Sequence, residues 1–485
     1  MINYIEFKNF RNLTGKYSFN NNLNIIIGKN NSGKTNLLEG IKIAFSQITG
    51  DYYKISKSDF KNSDDNINIE INVELKYDSI PSFNYYESND NDIIKKCGFQ
   101  IIIRKTQSGR YIKDVNLLNG SNVSFDIIRE DLNIPNVYSI PLLRIEDIYA
   151  TGLTSGIINF IESEEKYKKL KEESKSEIKK ELKAKETEFI GLCKEFNQEL
   201  KIELTDPKIS NEKIYIVDGD KEHNIRIGSG YKSIANILLN TLNKNFNIIL
   251  IDEIENHLHP ALIRTLIKKL KGITNIKIIA TTHSPVVINE LEINELIDIS
   301  GIDISFKSDQ AIAKKLNIFL HPGRNELMLA DNIILVEGYT EELLLKYYLK
   351  KNNYNWTIIN VAGVMFEPYI LLSSKLGKKV VAVSDNDKAL SETKEKSTRY
   401  KYLEQLCIEH RIRLIEVENT LESDLFINKY LDGFEELLKS HKKHKEFQIA
   451  KDKNKVDIAV KLIEADTDLS DWHVIKRIKD EFQSN

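Results

Sequence analysis

The segment GKNNSGKT, Gly28–Thr35, constrains the fold of this chain more than any other part of its sequence. It follows the continuously apolar run LNIII at 23–27 and precedes the helical pattern NLLEGIKIAF. A G-x-x-x-x-G-K-[ST] loop between a buried strand and a helix directs its backbone N–H groups at phosphate groups. The sequence therefore predicts a nucleotide site at the end of a buried strand, and with it an α/β fold.

The residues of this loop have separate expected roles. Its backbone N–H groups cradle the phosphates, Lys34 reaches the β- and γ-phosphates, and Thr35 is a ligand of Mg²⁺. We therefore expect ATP with Mg²⁺ as the bound nucleotide. The predicted nucleotide-binding residues of the loop are Gly28, Asn30, Asn31, Gly33, Lys34 and Thr35.

Three later segments complete the pattern of a phosphoryl-transfer site. A Gly-Ser-Gly turn at 228–230 leads into the helical pattern YKSIANILL, and a buried strand at 248–251 ends in Asp252 and Glu253. An aspartate at that place holds the Mg²⁺ shell, and the glutamate positions or deprotonates the attacking water. After another apolar run, His283 stands at a strand end, as either a site residue or a structural imidazole.

In this order, the four motifs resemble the ABC-type ATPases of the structural-maintenance and RecF group. The resemblance implies ATP-dependent head-to-head dimerisation, in which Ser229 and Gly230 contact the γ-phosphate of the other subunit's nucleotide and His283 senses it. The chain departs from the family pattern at Tyr231, where glutamine is frequent, and at Ile254, where proline is common. These departures concern hydrolysis rather than nucleotide binding.

Carboxylates follow two apolar strand patterns in the second half of the chain. The run ILVEG ends in Glu337 and leads into a helix that carries Glu341, and KVVAVSDND carries Asp385 and Asp387. Because the carboxyl ends of parallel strands meet at one edge of a sheet, we expect these side chains to lie together. Adjacent carboxylates repel one another, and Mg²⁺ or Mn²⁺ removes that penalty. The pattern predicts a metal site, in which Glu341 either binds through water or solvates the surface.

This pattern resembles the Toprim domain of topoisomerases, primases and the OLD family of nucleases. An ABC-type ATPase fused to a Toprim domain marks the OLD family, and within it the chain is similar to the ATPase-nuclease subunit of Gabija-type antiphage systems. The resemblance adds a late acidic motif, Glu422 and Asp424 in NTLESDLF. It also adds a catalytic lysine, for which Lys455 fits best and Lys453 and Lys461 are alternatives.

The resemblance implies a nuclease site with two Mg²⁺ or Mn²⁺ ions about 3.5–4 Å apart, one activating water and one stabilising the leaving oxygen. A lysine would neutralise charge on the scissile phosphate. The expected catalytic residues are Glu337, Asp385, Asp387, Asp424 and Lys455, with Glu253 in the ATPase domain. The expected metal ligands are Glu337, Glu341, Asp385, Asp387, Glu422 and Asp424, with Thr35 and Asp252 in the ATPase domain.

Length and patterning divide the 485 residues into two domains. We expect an ABC-type ATPase head, with a mixed sheet and helices, at 1–328 and a Toprim domain with a parallel sheet at 329–485. Alternating segments between 66 and 145 predict antiparallel strands. The Glu- and Lys-rich run at 162–201 predicts a helical insertion, which is either a dimerisation element or a solvated arm.

Composition argues against several other classes of protein. The net charge of −3 gives no global basic footprint, so DNA would have to bind to local basic patches. The three cysteines are far apart and form no CxxC pair, which argues against a disulfide framework or a zinc site. No apolar run approaches the ~20 residues that a membrane span needs, and we expect a cytoplasmic protein without a membrane partner.

Together the motifs predict an ATP-regulated, metal-dependent endonuclease that nicks or cuts double-stranded DNA. From the resemblance we also expect a homodimer or larger homo-oligomer, a role in antiphage defence and a helicase-like partner protein. Two alternatives stay open: a non-cleaving, RecF-like DNA-binding ATPase, and a DNA-repair nuclease with the same chemistry.

Overall fold

The computed structural model separates into two compact units, Met1–Ser305 and Phe306–Asn485. Among the residues that it describes, no helix is long and apolar enough to cross a membrane. The described residues are 2–49, 53–76, 85–89, 92–118, 137–140, 187, 190–191, 200–204, 214–218, 229–243, 245–306, 309–319, 326–363, 365–388, 395–418, 420–428, 430 and 455–483.

The strands of the first unit form an antiparallel sheet, a parallel sheet and a separate pair. The antiparallel sheet has the order β2-β1-β4-β6-β5, with β7 also paired to β6, and the separate pair is β10-β9. In chain order the strands are β1 (Ile2–Phe10), β2 (Leu13–Ser18), β3 (Leu23–Ile27), β4 (Ile69–Leu75), β5 (Tyr85–Asn89), β6 (Asp92–Lys105), β7 (Tyr111–Leu117), β8 (Val137–Ile140), β9 (Leu200–Leu204), β10 (Ile214–Asp218), β11 (Ile248–Ile251), β12 (Lys277–Thr281) and β13 (Leu296–Asp298).

The parallel sheet has the order β13-β3-β12-β11-β8. Every residue of β3, β11 and β12 is buried, as is typical of parallel strands covered on both faces. The sequence predicts antiparallel structure through residue 145, and β4 to β7 have it. By contrast, β8 pairs in parallel with β11. Four residues are too few for periodicity to reveal which strand they join.

Helix α1 (Lys34–Thr49) joins the two sheets of the first unit. One core cluster contains Phe7 of β1, Ile41 of α1, Phe99 of β6 and Leu250 of β11. The other helices of this unit with described bounds are α2 (Ser229–Thr241), α3 (Pro260–Lys271) and α4 (Pro285–Asn289), with short 3₁₀ helices at Lys57–Asp59, Lys61–Ser63 and Ile293–Glu295.

The second unit is built on a parallel sheet with the order β15-β14-β16-β17. Its strands are β14 (Asn332–Val336), β15 (Thr357–Asn360), β16 (Lys379–Asp385) and β17 (Arg413–Val417). Its helices within the described residues are α5 (Gln310–Phe319), α6 (Glu326–Leu329), α7 (Tyr339–Lys351), α8 (Phe366–Lys375), α9 (Thr398–Glu409), α10 (Leu421–Ile427), α11 (Lys455–Glu464) and α12 (His473–Gln483).

Helix α7 shows why the sequence after β14 becomes helical. Gly338 is its N-cap, Glu341 and Glu342 lie in its first turn, and Lys350 and Lys351 lie in its last turn. This charge order complements the helix dipole. The helix packs into a core that includes Val336, Leu345, Val383 and Trp472.

Two predictions from the sequence, the domain boundary and the helical insertion, stay predictions. The expected boundary between 328 and 329 falls after α5 and inside α6, and both helices belong to the second unit. The helical insertion expected at 162–201 lies almost entirely outside the described residues.

Candidate functional site

The phosphate loop lies between β3 and α1. Gly28 and Gly33 have φ angles of +154° and +105°, a region that glycine adopts without strain. A Cβ added at Gly33 would lie 2.5 Å from Nδ2 of Asn12, so the loop packs tightly against the turn after β1. Asn30 and Asn31 are exposed, and Asn31 also has a positive φ of 61°.

The Lys34 side chain is buried and folds back over the loop. Its Nζ donates to the carbonyl oxygens of Gly28, at 2.9 Å, and Lys29, at 2.6 Å. Burial lowers the pKa of Lys34, although the nearby charge of Asp252 opposes the shift. Phosphate oxygens of a nucleotide would replace these two carbonyl acceptors, so the loop fits such a ligand.

Thr35 and Asp252 are in direct contact. The Thr35 hydroxyl donates to Oδ2 of Asp252 at 2.9 Å, and the Thr281 hydroxyl donates to Oδ1 at 2.5 Å. These contacts join the start of α1 to the ends of β11 and β12. Hydroxyl and carboxylate oxygens are the ligands that Mg²⁺ prefers, so this pair fits the ion that accompanies ATP.

Glu253 and His283 lie close to each other beside the end of β12. The backbone of Glu253 has a φ of +48°, and its N–H donates to the Thr281 hydroxyl at 2.7 Å. The distance from His283 Nε2 to Glu253 Oε1 is 3.9 Å. Glu255, which the motifs do not mark, accepts the His283 backbone N–H at 2.6 Å. Thr281 of β12 thus holds the positive-φ backbone of Glu253 in place. Glu255 holds the backbone of His283.

Ser229 and Gly230 form the first two residues of α2. Gly230 is buried, and a Cβ added there would lie 2.6 Å from the carbonyl oxygen of His257. The start of this helix therefore packs against the segment that follows Glu253. Packing within a single subunit therefore already requires glycine at position 230, because a larger side chain would clash with His257.

Three of the expected carboxylates of the second unit line a cleft at the carboxyl edge of its sheet. Glu337 follows β14, Asp385 ends β16, and these two strands are parallel neighbours. The cleft has a volume of about 420 Å³. It is lined by Glu337, Gly338, Tyr339, Thr340, Glu341, Asn360, Ala362, Gly363 and Asp385.

Glu341 lies at the start of α7 beside Gly338. A Cβ added at Gly338 would be 2.9 Å from Oε2 of Glu341. The Glu341 carboxylate thus lies at the positive end of the helix dipole as well as in the cleft. Both of its expected roles, a metal ligand through water and a surface carboxylate, fit this position.

Asp387 lies beyond the end of β16. The strand ends at Asp385, and Asp387 has a φ of +54°, so the two side chains do not share one face of an extended strand. Asp387 and Glu337 are instead joined by Arg399. Its guanidinium donates to the two carboxylate oxygens of Glu337 at 2.5 and 3.0 Å and to Oδ2 of Asp387 at 3.2 Å.

A second charged network lies beside Asp387. Burial would raise the pKa of Glu416, but hydrogen bonds from Lys396, Asn386 and Lys388 lower it to about 2. Asn386 donates to Oε1 of Glu416 at 2.7 Å. Because Asn386 stands between Asp385 and Asp387, this network fixes the backbone that carries both aspartates.

The late acidic motif lies on α10, where Glu422 and Asp424 are both buried. Asp424 accepts a hydrogen bond from Trp472 Nε1 at 2.6 Å, and His473 Nε2 lies 3.0 Å from each of its carboxylate oxygens. The structure therefore places Asp424 at the start of α12 rather than in the lining of the cleft. Lys455 begins α11, and its side chain lies outside the described residues.

The donor set of the cleft fits a divalent metal, because carboxylate oxygens are the ligands that Mg²⁺ and Mn²⁺ prefer. In this conformation the described residues contain no group of three His, Cys, Asp or Glu side chains close enough to hold one ion. Arg399 instead forms ion pairs with both Glu337 and Asp387. The carboxylates that would bind a metal are present, and the guanidinium of Arg399 lies among them.

Sequence patterns did not reveal Arg399, Ser384, Glu255 or Asn12. Ser384 donates to Oε2 of Glu337 at 3.0 Å, from the residue before Asp385. Each of these residues acts through a partner that is distant in the sequence. A serine directly before an aspartate at a strand end was the one local signal.

The sequence matches two family models. Residues 23–289 match the family described as AAA domain, putative AbiEii toxin, Type IV TA system. Residues 328–387 match the family described as Overcoming lysogenization defect protein-like, TOPRIM domain. The second match includes Glu337, Asp385 and Asp387 and ends before Glu422.

Curated relatives cover most of the chain. Two proteins named Endonuclease GajA, from two strains of Bacillus cereus, are each 24% identical to it. One alignment covers 73% of this chain and 60% of the relative, and the other covers 88% and 81%. The chain thus spans 60% of the length of the first relative.

One similar solved structure is an SMC head bound to the C-winged helix domain of ScpA, with a TM-score of 0.45 and 15% identity. The similarity covers 61% of this chain and 93% of that chain.

The predicted fold class is an α/β ATPase head followed by a Toprim domain with a parallel sheet. It is confirmed by the parallel sheet in each unit and by the two family matches. The first match covers more than half of the chain. The chain therefore belongs to the family described as AAA domain, putative AbiEii toxin, Type IV TA system, and an OLD-like TOPRIM domain follows its ATPase domain.

Proposed function

We propose that this protein is an ATP-regulated endonuclease that uses divalent metal to nick or cut double-stranded DNA. One observation carries the proposal: Glu337, Glu341 and Asp385 line one cleft at the carboxyl edge of a parallel sheet. The same chain carries a phosphate loop whose Thr35 contacts Asp252. The relatives named Endonuclease GajA support the same chemistry.

The metal-binding role belongs to Glu337, Asp385 and Asp387, with Glu341 beside them. Two Mg²⁺ or Mn²⁺ ions bound there would activate water and stabilise the leaving oxygen of the phosphodiester. Ser384 orients the Glu337 carboxylate through its hydrogen bond. Glu422 and Asp424 keep their expected role as further ligands, and Lys455 keeps its role as a phosphate-neutralising group. Asp424 also holds α10 against α12.

The nucleotide-binding role belongs to the first unit. With nucleotide bound, Lys34 would exchange its two carbonyl acceptors for phosphate oxygens, and Thr35 and Asp252 would hold Mg²⁺. Glu253 positions the attacking water, and His283 lies beside it. Ser229 and Gly230 complete the site of a second subunit, so the protein acts as a homodimer or larger homo-oligomer. Nucleotide state controls access of DNA to the carboxylate cleft, because both sites are on one chain.

The biological role proposed here is antiphage defence, with a helicase-like protein as partner. It is supported by the similarity to the GajA proteins over most of the chain. A DNA-repair nuclease would use the same residues on a different DNA substrate.

The first test is cleavage of supercoiled plasmid by the full-length protein with Mg²⁺ or Mn²⁺. Asp385→Asn keeps the size of the side chain but removes the charge that holds a divalent ion. We expect it to lower the cleavage rate by at least ~100-fold, the scale on which loss of one metal-orienting group is felt. Glu395→Gln, an exposed carboxylate that pairs with Lys401, is the matched control and should cleave as the wild type does.

A non-cleaving, RecF-like DNA-binding ATPase is the second candidate. The ion pair between Arg399 and Glu337 favours it, because a permanently neutralised Glu337 cannot bind metal. Metal-dependent cleavage that survives unchanged in Asp385→Asn would rule out the nuclease assignment. Plasmid binding with no cleavage under any metal would support the second candidate.

A further inference from the structure

Arg399 occupies an unusual place for a cation. It is the second residue of α9, whose N-cap is Ser397. The amino end of a helix carries partial positive charge, so an arginine there gains nothing from the helix itself. Its favourable interactions lie with the carboxylates of Glu337 and Asp387, which belong to other segments of the fold.

The start of α9 is tied to the aspartate segment. The backbone N–H of Ser397 donates to the carbonyl oxygen of Asn386 at 3.3 Å, and the Ser397 hydroxyl caps the helix by accepting the Tyr400 N–H at 3.2 Å. Tyr400 in turn donates to Glu416 at 3.3 Å. These contacts place the backbone of Arg399 at a fixed position beside Asp387, and leave its long side chain as the movable part.

The guanidinium neutralises two carboxylates at once. It binds both oxygens of Glu337 in a fork and one oxygen of Asp387, and its side chain is 30% exposed. An arginine fork is the protein group that best matches carboxylate geometry. It therefore removes the repulsion between these carboxylates in the metal-free protein, which is the same task that a divalent ion performs.

We infer that Arg399 is an internal counter-cation that competes with divalent metal: it occupies Glu337 and Asp387 in the metal-free protein and leaves them when metal binds. The inference rests on the metal site proposed above and adds a residue that sets its affinity. Arg399 keeps the empty site stable and raises the metal concentration at which it fills.

The test is Mn²⁺ binding to full-length protein without nucleotide, measured by calorimetric titration. The Mn²⁺ binding that is lost in Asp385→Asn is assigned to the cleft. Arg399→Gln removes the competing cation, and we expect cleft binding to become roughly tenfold tighter, the equivalent of one charge-assisted hydrogen-bond pair. Lys401→Gln removes one positive charge from the exposed face of the same helix, where Lys401 pairs with Glu395, and should bind Mn²⁺ as the wild type does.

Thermal unfolding supplies a second readout that does not depend on activity. In EDTA, Arg399→Gln should unfold roughly 2–4 °C below the wild type, because the carboxylates then repel one another. Saturating Mn²⁺ should raise its Tm by more than it raises that of the wild type. Arg399→Lys keeps the charge without the fork and should lie between the two proteins in both measurements.

The outcomes separate this inference from the proposed function. Equal or weaker Mn²⁺ binding in Arg399→Gln, beside wild-type binding that Asp385→Asn abolishes, contradicts the counter-cation role alone. Wild-type protein whose Mn²⁺ binding is unaffected by Asp385→Asn contradicts the metal site, and the role of Arg399 with it.

Discussion

Glu416 shows how one carboxylate can join neighbouring strands. It lies on β17, and it accepts hydrogen bonds or ion pairs from Asn386, Lys388 and Lys396 at 2.7 to 3.1 Å. All three partners follow β16 in the sequence. The carboxylate thereby holds the segment that carries Asp385 and Asp387 against the edge of the sheet.

The low pKa of Glu416 makes this contribution depend on pH. A carboxyl with a pKa of about 2 when folded and an ordinary value when unfolded stabilises the fold at neutral pH. The contribution is complete above the unfolded pKa and is lost as pH falls through the folded pKa. After allowance for the partly exposed lysines, we expect it to be about 2 kcal/mol at pH 7.

Glu416→Gln should therefore destabilise the protein at pH 7, and the difference from the wild type should shrink as pH falls below about 5. Urea unfolding at a series of pH values measures this. Glu404→Gln is a suitable control, because Glu404 also pairs with Lys396 but is 43% exposed. A difference of the same size at pH 7 and near pH 3 would show that the charge of Glu416 is not the cause.

At the level of single residues, the sequence predicted the motif positions and missed their supports. Lys34, Thr35, Asp252 and Glu337 stand in local patterns that their chemistry requires. Arg399 lies 62 residues from Glu337, and no periodicity connects the two. Supporting residues of this kind appear only when the chain is folded, because their partners are set by strand order rather than by spacing.

Helices α10 and α12 are joined through Asp424. Both Asp424 and Trp472 are 2% exposed, and the Trp472 N–H has this carboxylate as its acceptor. A buried donor that loses its acceptor pays its full desolvation cost. The contact therefore helps to hold α12 against α10.

Asp424→Ala should lower the stability of the metal-free protein by about 2–4 kcal/mol, because it leaves Trp472 without an acceptor in the core. Thermal unfolding in EDTA measures the loss. Asp471→Ala, next to Trp472 but with a side chain that is 88% exposed, should change stability little. If Asp424→Ala has the Tm of the wild type, Asp424 does not stabilise the fold, and only its expected catalytic role remains.

Elements with strong local signals were predictable. The buried strands β3, β11, β14 and β16 and the helix α1 appear where apolar runs and the glycine-rich loop place them. Pairing was harder to predict, as β8 shows by joining β11 in the parallel sheet. The conformation of Asp387 was also hidden, because its positive φ depends on contacts that follow the strand end.

At the scale of the whole molecule, each unit has its own parallel sheet and its own core cluster. The nucleotide site is in one unit and the carboxylate cleft is in the other. A chain that carries both on separate cores can change the state of one without unfolding the other. This arrangement suits regulation of cleavage by nucleotide.

The most direct measurement of this account is plasmid cleavage with Mg²⁺ or Mn²⁺, with and without ATP, by wild type, Asp385→Asn and Lys34→Ala. Lys42→Ala, an exposed lysine on the same helix as Lys34, is the control. We predict cleavage that ATP alters in the wild type and in Lys42→Ala, cleavage that no longer responds to ATP in Lys34→Ala, and none in Asp385→Asn. Identical ATP dependence in Lys34→Ala and the wild type, or full cleavage by Asp385→Asn, would contradict the account.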